Sequence, residues 1–219
     1  MAKSICWLPG WASNLEQWKS LIEERFPAYN HRFVDYSTML HNASRLENLA
    51  EVREADGIVA WSLGSLLALQ TLPRLHQEVP LLALCPIAWF CHPELGWPVR
   101  VLSRMGSQIR KDPRAVLTSF AEQMGPNSPD QKKAWIESAL LIPVDDLELG
   151  LQILANQSAS QLKNLATHHP IHLVIGGQDG VVSPELAIWL ERELVQPKSL
   201  QVLPEMSHWP FSEKWNLPF

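Results

Sequence analysis

Short apolar runs alternate with longer amphipathic stretches along most of this chain. Ser4–Leu8, His31–Tyr36, Gly57–Trp61, Leu81–Cys85, Ile171–Ile175 and Leu200–Leu203 read as strands. Leu15–Arg25, Arg45–Ala55, Ser65–Leu75 and Pro184–Leu194 carry helical patterning and fall between most of those runs. Such alternation predicts an α/β fold, a doubly wound and mostly parallel sheet of about six strands. The rhythm breaks between about Phe90 and Lys163, where no strand is evident. Helix-like segments take over at Pro98–Lys111, Pro113–Gln123, Pro129–Leu140 and Asp145–Ala155, the first three opening at or near a proline, as first helical turns tolerate. The expected organisation is a core of residues 1–89 and 164–219 with a helical cap, 90–163, inserted after the fourth strand. A cap placed there lies over the strand ends, where ligands bind in such sheets.

Residues 60–64 read Ala-Trp-Ser-Leu-Gly between the third strand and the next helix. A serine in a tight strand-to-helix turn is the setting of a nucleophile elbow, and small residues two positions either side let strand and helix approach. Ala60 and Gly64 meet that need. A serine hydroxyl needs a base and an orienting acid. Asp179 falls in the polar turn after Ile171–Ile175, and His208 in the loop after Leu200–Leu203, so Ser62, Asp179 and His208 occupy three strand ends in the chain order, Ser then acid then His, that goes with a nucleophile elbow on such a sheet. Each has a plainer reading alone: Ser62 as a helix N-cap, Asp179 as a turn former, His208 as a surface loop residue. Three suitable residue types at three strand ends favour the catalytic reading. The oxyanion hole then falls to the backbone N–H of Leu63 and, from the Pro9-Gly10-Trp11 loop after the first strand, that of Trp11. The remaining histidines and the cysteines show no metal-ligand spacing, so neither metal nor organic cofactor is expected.

Composition adjusts this picture in three places. The cysteines (Cys6, Cys85, Cys91) are few, odd in number and set among apolar residues, as expected of reduced thiols in a cytoplasm. No secretory signal is expected, and Val79–Cys91, the longest nearly apolar run, is too short to span a bilayer. Ten tryptophans is a high count; Trp11, Trp61, Trp89, Trp97 and Trp209 lie near predicted site segments and are expected to line an apolar acyl channel. The net charge of −5 is unevenly spread. Trp97–Lys133 holds Arg100, Arg104, Arg110, Lys111, Arg114, Lys132 and Lys133 against Asp112, Glu122 and Asp130. A basic cap over an acidic body is expected to attract a negative partner, although a solvated helix face would look the same. No nucleic-acid module is recognisable, and a monomer is expected.

These segments together resemble the α/β-hydrolase superfamily, and more narrowly the pimeloyl-[acyl-carrier protein] methyl ester esterases of biotin synthesis. The resemblance rests on Leu8-Pro9-Gly10-Trp11, Trp61-Ser62-Leu63-Gly64, Leu149–Leu154, Gly177–Val182 and Ser207–Phe211. It implies hydrolysis of the methyl ester at the far end of a pimeloyl chain borne by acyl-carrier protein; the alternatives are a general short-chain carboxylesterase or thioesterase without a carrier partner, or a non-catalytic ligand receptor on the same fold. Ser62, Asp179 and His208 would be the esterase's triad, Trp11 and Leu63 its oxyanion donors, and the basic cap residues the carrier's landing surface. Pro9 departs from the family's usual His, Ala60 from Gly and Ser65 from a second Gly. The chain opens directly on the oxyanion strand and ends soon after His208, so the sheet is expected to lack the two usual N-terminal strands and the closing helix.

Overall fold

The computed structural model describes residues 2–125, 128–157, 168–193, 197–212 and 214–219. Six strands form one sheet: β1 (Ser4–Leu8), β2 (Asn30–Phe33), β3 (Gly57–Trp61), β4 (Leu81–Leu84), β5 (Ile171–Gly176) and β6 (Ser199–Leu203). Every pairing is parallel, in the order β2-β1-β3-β4-β5-β6. Every residue of β1, β3 and β4 is buried, as expected where helices cover both faces of a sheet. The outermost strands, β2 and β6, are only partly buried, and β6 alternates polar and apolar residues. The strand order reverses between β1 and β3, which creates a crevice at their C-terminal ends.

The helices are α1 (Lys19–Arg25), α2 (Tyr36–His41), α3 (Ala50–Arg53), α4 (Leu63–Thr71), α5 (Val99–Ile109), α6 (Pro113–Met124), α7 (Pro129–Ala139), α8 (Val144–Ala155) and α9 (Pro184–Glu193). Several boundaries differ from the expected ones for local reasons. The second strand stops at Phe33 because Asp35 caps a new helix, its carboxylate accepting from the Thr38 N–H at 3.0 Å. Leu15–Arg25 begins as a 3-10 turn, Leu15–Trp18, capped by Asn14. Arg45–Ala55 divides where Leu49 turns extended (ψ 135°), leaving a 3-10 turn and the single turn of α3. Helix α4 starts two residues early and gives way at Leu72 to a 3-10 turn containing Pro73. The fourth strand ends at Leu84 because Cys85 turns to φ 47°.

Helices α5 to α8 form the insertion between β4 and β5; α5 packs along α8 and against α6, which packs on α7. Helix α5 buries Leu102, Gly106 and Ile109 and leaves Arg100, Arg104 and Ser107 outside. Gly125, at φ 68°, closes α6 in the left-handed conformation that glycine adopts without penalty. The expected boundary between residues 163 and 164 lies outside the described residues. Among those described, no helix is long and apolar enough to cross a membrane.

Candidate active site

The C-terminal ends of β1, β3, β5 and β6 deliver four polypeptide segments to one point. Ser62, between β3 and α4, takes φ 54° and ψ −117°, a conformation that costs an L-residue about 1–3 kcal/mol. Its side chain does not cap α4. Instead Ser62 Oγ lies 2.9 Å from His208 Nε2. The other imidazole nitrogen, Nδ1, lies 2.8 and 3.0 Å from the two oxygens of Asp179. A carboxylate only accepts, so Nδ1 carries the proton, and Nε2 is left to accept from the serine hydroxyl. Asp179 Oδ1 also accepts from the Val181 and Val182 N–H groups, both at 2.8 Å. Asp179 is therefore a turn former and a histidine partner at once. All three side chains are buried.

The elbow's tightness explains its small residues. A β-carbon on Gly64 would lie 2.6 Å from the Pro9 carbonyl oxygen and 2.7 Å from that of Leu8. Helix α4 thus crosses the end of β1 in direct backbone contact, at a stretch next in sequence to Leu63 and Trp11, whose N–H groups are the expected oxyanion donors. Among the described residues, neither of those N–H groups donates to a backbone acceptor. Ala12, next to Trp11, is a second strained residue at φ 55°.

The structure separates the five tryptophans. Trp11 and Trp97 line a narrow apolar cavity at Ser62, together with Phe90, Leu102, Met105, Phe120, Leu151, Leu154 and Val181. Trp61, Trp89 and Trp209 do not line it. Trp61 points under the site and donates from Nε1 to the His208 carbonyl at 3.0 Å, holding the histidine loop. Trp209 packs edge-on against Trp61 and Trp18, and Trp89 packs on His92 and Trp189. Sequence proximity nominated these three, but alternate residues point to opposite faces of a strand or turn. The lining residues that sequence reasoning missed lie mostly on the inward stripes of α5, α6 and α8. Their helical spacing was a usable signal, although it could not tell core from cavity wall.

The basic residues also divide. Arg104 and Lys111 line an open groove of about 440 Å³ between α5 and α6, which shares Trp97, Met105 and Phe120 with the serine cavity. Arg110 pairs with Asp145 and Glu148, Arg114 with Glu137, and Lys132 with Glu122, all inside the insertion. Arg100 and Lys133 are exposed on its outer surface.

One further group touches the triad. Cys85 follows β4 directly and holds its Sγ 3.6 Å from the His208 carbonyl oxygen. Burial pushes its thiol well above the ordinary range, and the Asp179 charge pushes it in the same direction. Cys85, Asp179 and His208 are the one cluster of potential metal ligands among the described residues, and its carboxylate and imidazole are already bonded to each other.

A model of the alpha/beta hydrolase family matches residues 8–216. Among curated proteins, pimeloyl-[acyl-carrier protein] methyl ester esterase of Nitrosospira multiformis is 27% identical over 76% of this chain and 66% of its own length. The protein of that name from Pseudoalteromonas atlantica is 25% identical over 93% of this chain and 86% of its own. Among solved structures, an esterase from Exiguobacterium antarcticum superposes with a TM-score of 0.78 at 15% identity, covering 94% of this chain and 85% of that one. A bromoperoxidase from Bacillus anthracis gives the same TM-score at 14% identity, over 95% and 86%. At those identities the two structures speak for the fold alone. With its family model spanning nearly all the described strands and helices, this chain belongs to the alpha/beta hydrolase family.

Proposed function

We propose that the chain is a serine esterase that hydrolyses the methyl ester of a pimeloyl group borne by acyl-carrier protein. The observation that carries the chemistry is the continuous line Ser62 Oγ, His208, Asp179, and the Leu63 and Trp11 N–H groups are the proposed oxyanion donors. His208 Nε2 takes the hydroxyl proton as Ser62 Oγ attacks the ester carbonyl. Negative charge collects on the carbonyl oxygen, and the two N–H groups receive it. The imidazolium, held by Asp179, returns its proton to the departing methanol oxygen. Water then repeats the sequence on the acyl-serine and frees the carboxylate.

Three things support the finer assignment of substrate. The curated relatives bear that name. The wall at Ser62 is apolar, as a methylene chain requires, but the space there is only about 10 Å³, room for a water-sized group, so the chain would run through the adjoining groove that shares Trp97, Met105 and Phe120. That groove carries Arg104 and Lys111, which suit an acidic carrier or the phosphate of a carried arm. The test compares the pimeloyl-carrier methyl ester with a small neutral aryl ester. Arg104→Glu combined with Lys111→Glu should raise KM for the carried ester at least tenfold and for the aryl ester far less. Added salt should imitate that change in the wild type, because the Debye length falls to about 8 Å near 0.15 M. Equal kcat/KM on both esters in the wild type would reduce the function to that of a general esterase.

A further inference from the structure

The loop after β1 holds its shape through partners that lie in the insertion. Trp11 Nε1 donates to the Leu147 carbonyl of α8 at 2.9 Å, a buried bond. Ser13, fully buried, donates from Oγ to the Trp11 carbonyl at 3.2 Å and accepts from Trp135 Nε1 of α7 at 2.8 Å. The ring of Phe120, from α6, packs edge-on against Trp11 with centroids 4.8 Å apart. Three helices of the insertion therefore grip two residues of one loop. Within the loop itself, the backbone contributes a single long bond, Ser13 N–H to the Gly10 carbonyl at 3.3 Å. That is little to restrain Ala12 at φ 55°, a conformation that persists only when its surroundings enforce it.

We infer that Ser13 and Trp135 are positioning residues, which fix the direction of the Trp11 N–H as an oxyanion donor. The inference rests on the serine-esterase reading above. The reasoning is geometric. The Trp11 residue is anchored at its indole by α8 and at its carbonyl by Ser13, and Ser13 is in turn anchored by α7. The Trp11 N–H lies in the Gly10–Trp11 peptide plane, whose carbonyl accepts from the Ser13 N–H at 3.3 Å, so Ser13 bonds the peptide groups on both sides of Trp11 and thereby limits the direction of its amide. Trp135 Nε1 is buried and Ser13 Oγ is its partner, so the bond ties α7 to the loop. The insertion thus contributes to transition-state stabilisation as well as to substrate access.

The test uses two variants that remove the same bond from opposite sides. Trp135→Phe keeps the ring and deletes only the donor, whereas Ser13→Ala also frees the Trp11 carbonyl. Turnover of p-nitrophenyl acetate is measured per active site titrated with a fluorophosphonate, so that misfolded protein does not count. Losing an oxyanion donor outright costs about 10²–10³ in kcat, so misaiming one should cost less. The expected losses are about tenfold for Trp135→Phe and about 10- to 50-fold for Ser13→Ala, with KM within about twofold. The double variant should be no worse than Ser13→Ala, because both act through one bond. Affinity for a boronic acid that mimics the tetrahedral intermediate should fall in step with kcat. Turnover per site within twofold of wild type in both variants, whatever their melting temperatures, would overturn the inference and leave the bond as an anchor for α7. Should Ser13→Ala fail to fold, Trp135→Phe alone decides. Turnover retained by Ser62→Ala would instead sink the serine-esterase reading itself, a result independent of Ser13 and Trp135.

Discussion

Gly64→Ala is a one-carbon change that should disturb both fold and chemistry. The new β-carbon would stand 2.6 Å from the Pro9 carbonyl oxygen, roughly 0.8 Å inside ordinary van der Waals contact, which begins near 3.4 Å. Both neighbours are backbone, so no side chain can swing aside, and α4 and the β1 loop must part. Overpacking of this kind costs about 1–3 kcal/mol. Alanine's better helix propensity returns at most about 1 kcal/mol. A net loss of about 1–2 kcal/mol in a chain of this length lowers Tm by about 2–8 °C. The catalytic effect should be larger than the thermal one. Leu63 travels with α4 and Trp11 with the loop, so the two oxyanion donors separate by a sizeable fraction of an ångström. A misplacement near 1 Å can cost about 10² in rate, so kcat should fall about 10- to 100-fold with KM little changed. Thermal melts and aryl-ester kinetics per titrated site would measure both effects. Wild-type kcat and Tm together would refute the claim that this contact fixes the donor geometry.

The other expectations concern the triad, the buried thiols and acid stability. Ser62→Ala and His208→Ala should each cut turnover by about 10⁴-fold or more while the melting curve stays near wild type, and Asp179→Asn should come close to that; near-normal turnover in Ser62→Ala would remove it as nucleophile. Cys6 and Cys85 should resist a thiol reagent at pH 8 in the native protein and react in guanidinium, since burial raises both thiols far above the ordinary range and depletes thiolate; prompt native labelling of Cys85, mapped by mass, would contradict its burial. Burial, and then the charge of Lys198, holds the His172 imidazole below its ordinary value of 6.5. The folded state thus prefers the neutral ring, so the stability that His172 contributes is present above about pH 6.5 and is lost as pH falls through the lowered folded value. His172→Gln should flatten the decline in Tm between pH 7 and pH 5, and an unchanged slope would place the acid sensitivity elsewhere.

Much of this arrangement was legible in the chain because strand ends are punctuated. Ser62, Asp179 and His208 each follow an apolar run and occupy a turn, so a one-dimensional pattern locates them on one edge of a parallel sheet. The six strands and the inserted helices were legible for the same reason. The tryptophans were not, because facing is a three-dimensional property. Trp61 is adjacent to Ser62 in sequence yet points beneath it, while Phe120, some sixty residues away, forms the cavity wall. The basic stretch looked uniform in sequence, but acidic residues of α6, α7 and α8 pair off Lys132, Arg114 and Arg110. The dependence of the oxyanion loop on Trp135 was hidden altogether. A contact spanning 122 residues leaves no local periodicity to read.

The pairing of β4 with β5 has a consequence for how the protein comes into being. It joins Leu84 to Val174 across an insertion of about 86 residues between the strands, and closing a loop of that size costs about 4 kcal/mol of chain entropy before any contact repays it. The elbow and the oxyanion loop lie on the N-terminal side of that gap, and Asp179 and His208 on the other. A chain still emerging from the ribosome can build β1 to β4 and the insertion helices with the nucleophile already in its turn, but with no base to activate it. On the serine-esterase reading, hydrolytic competence therefore arrives last, with the final two strands.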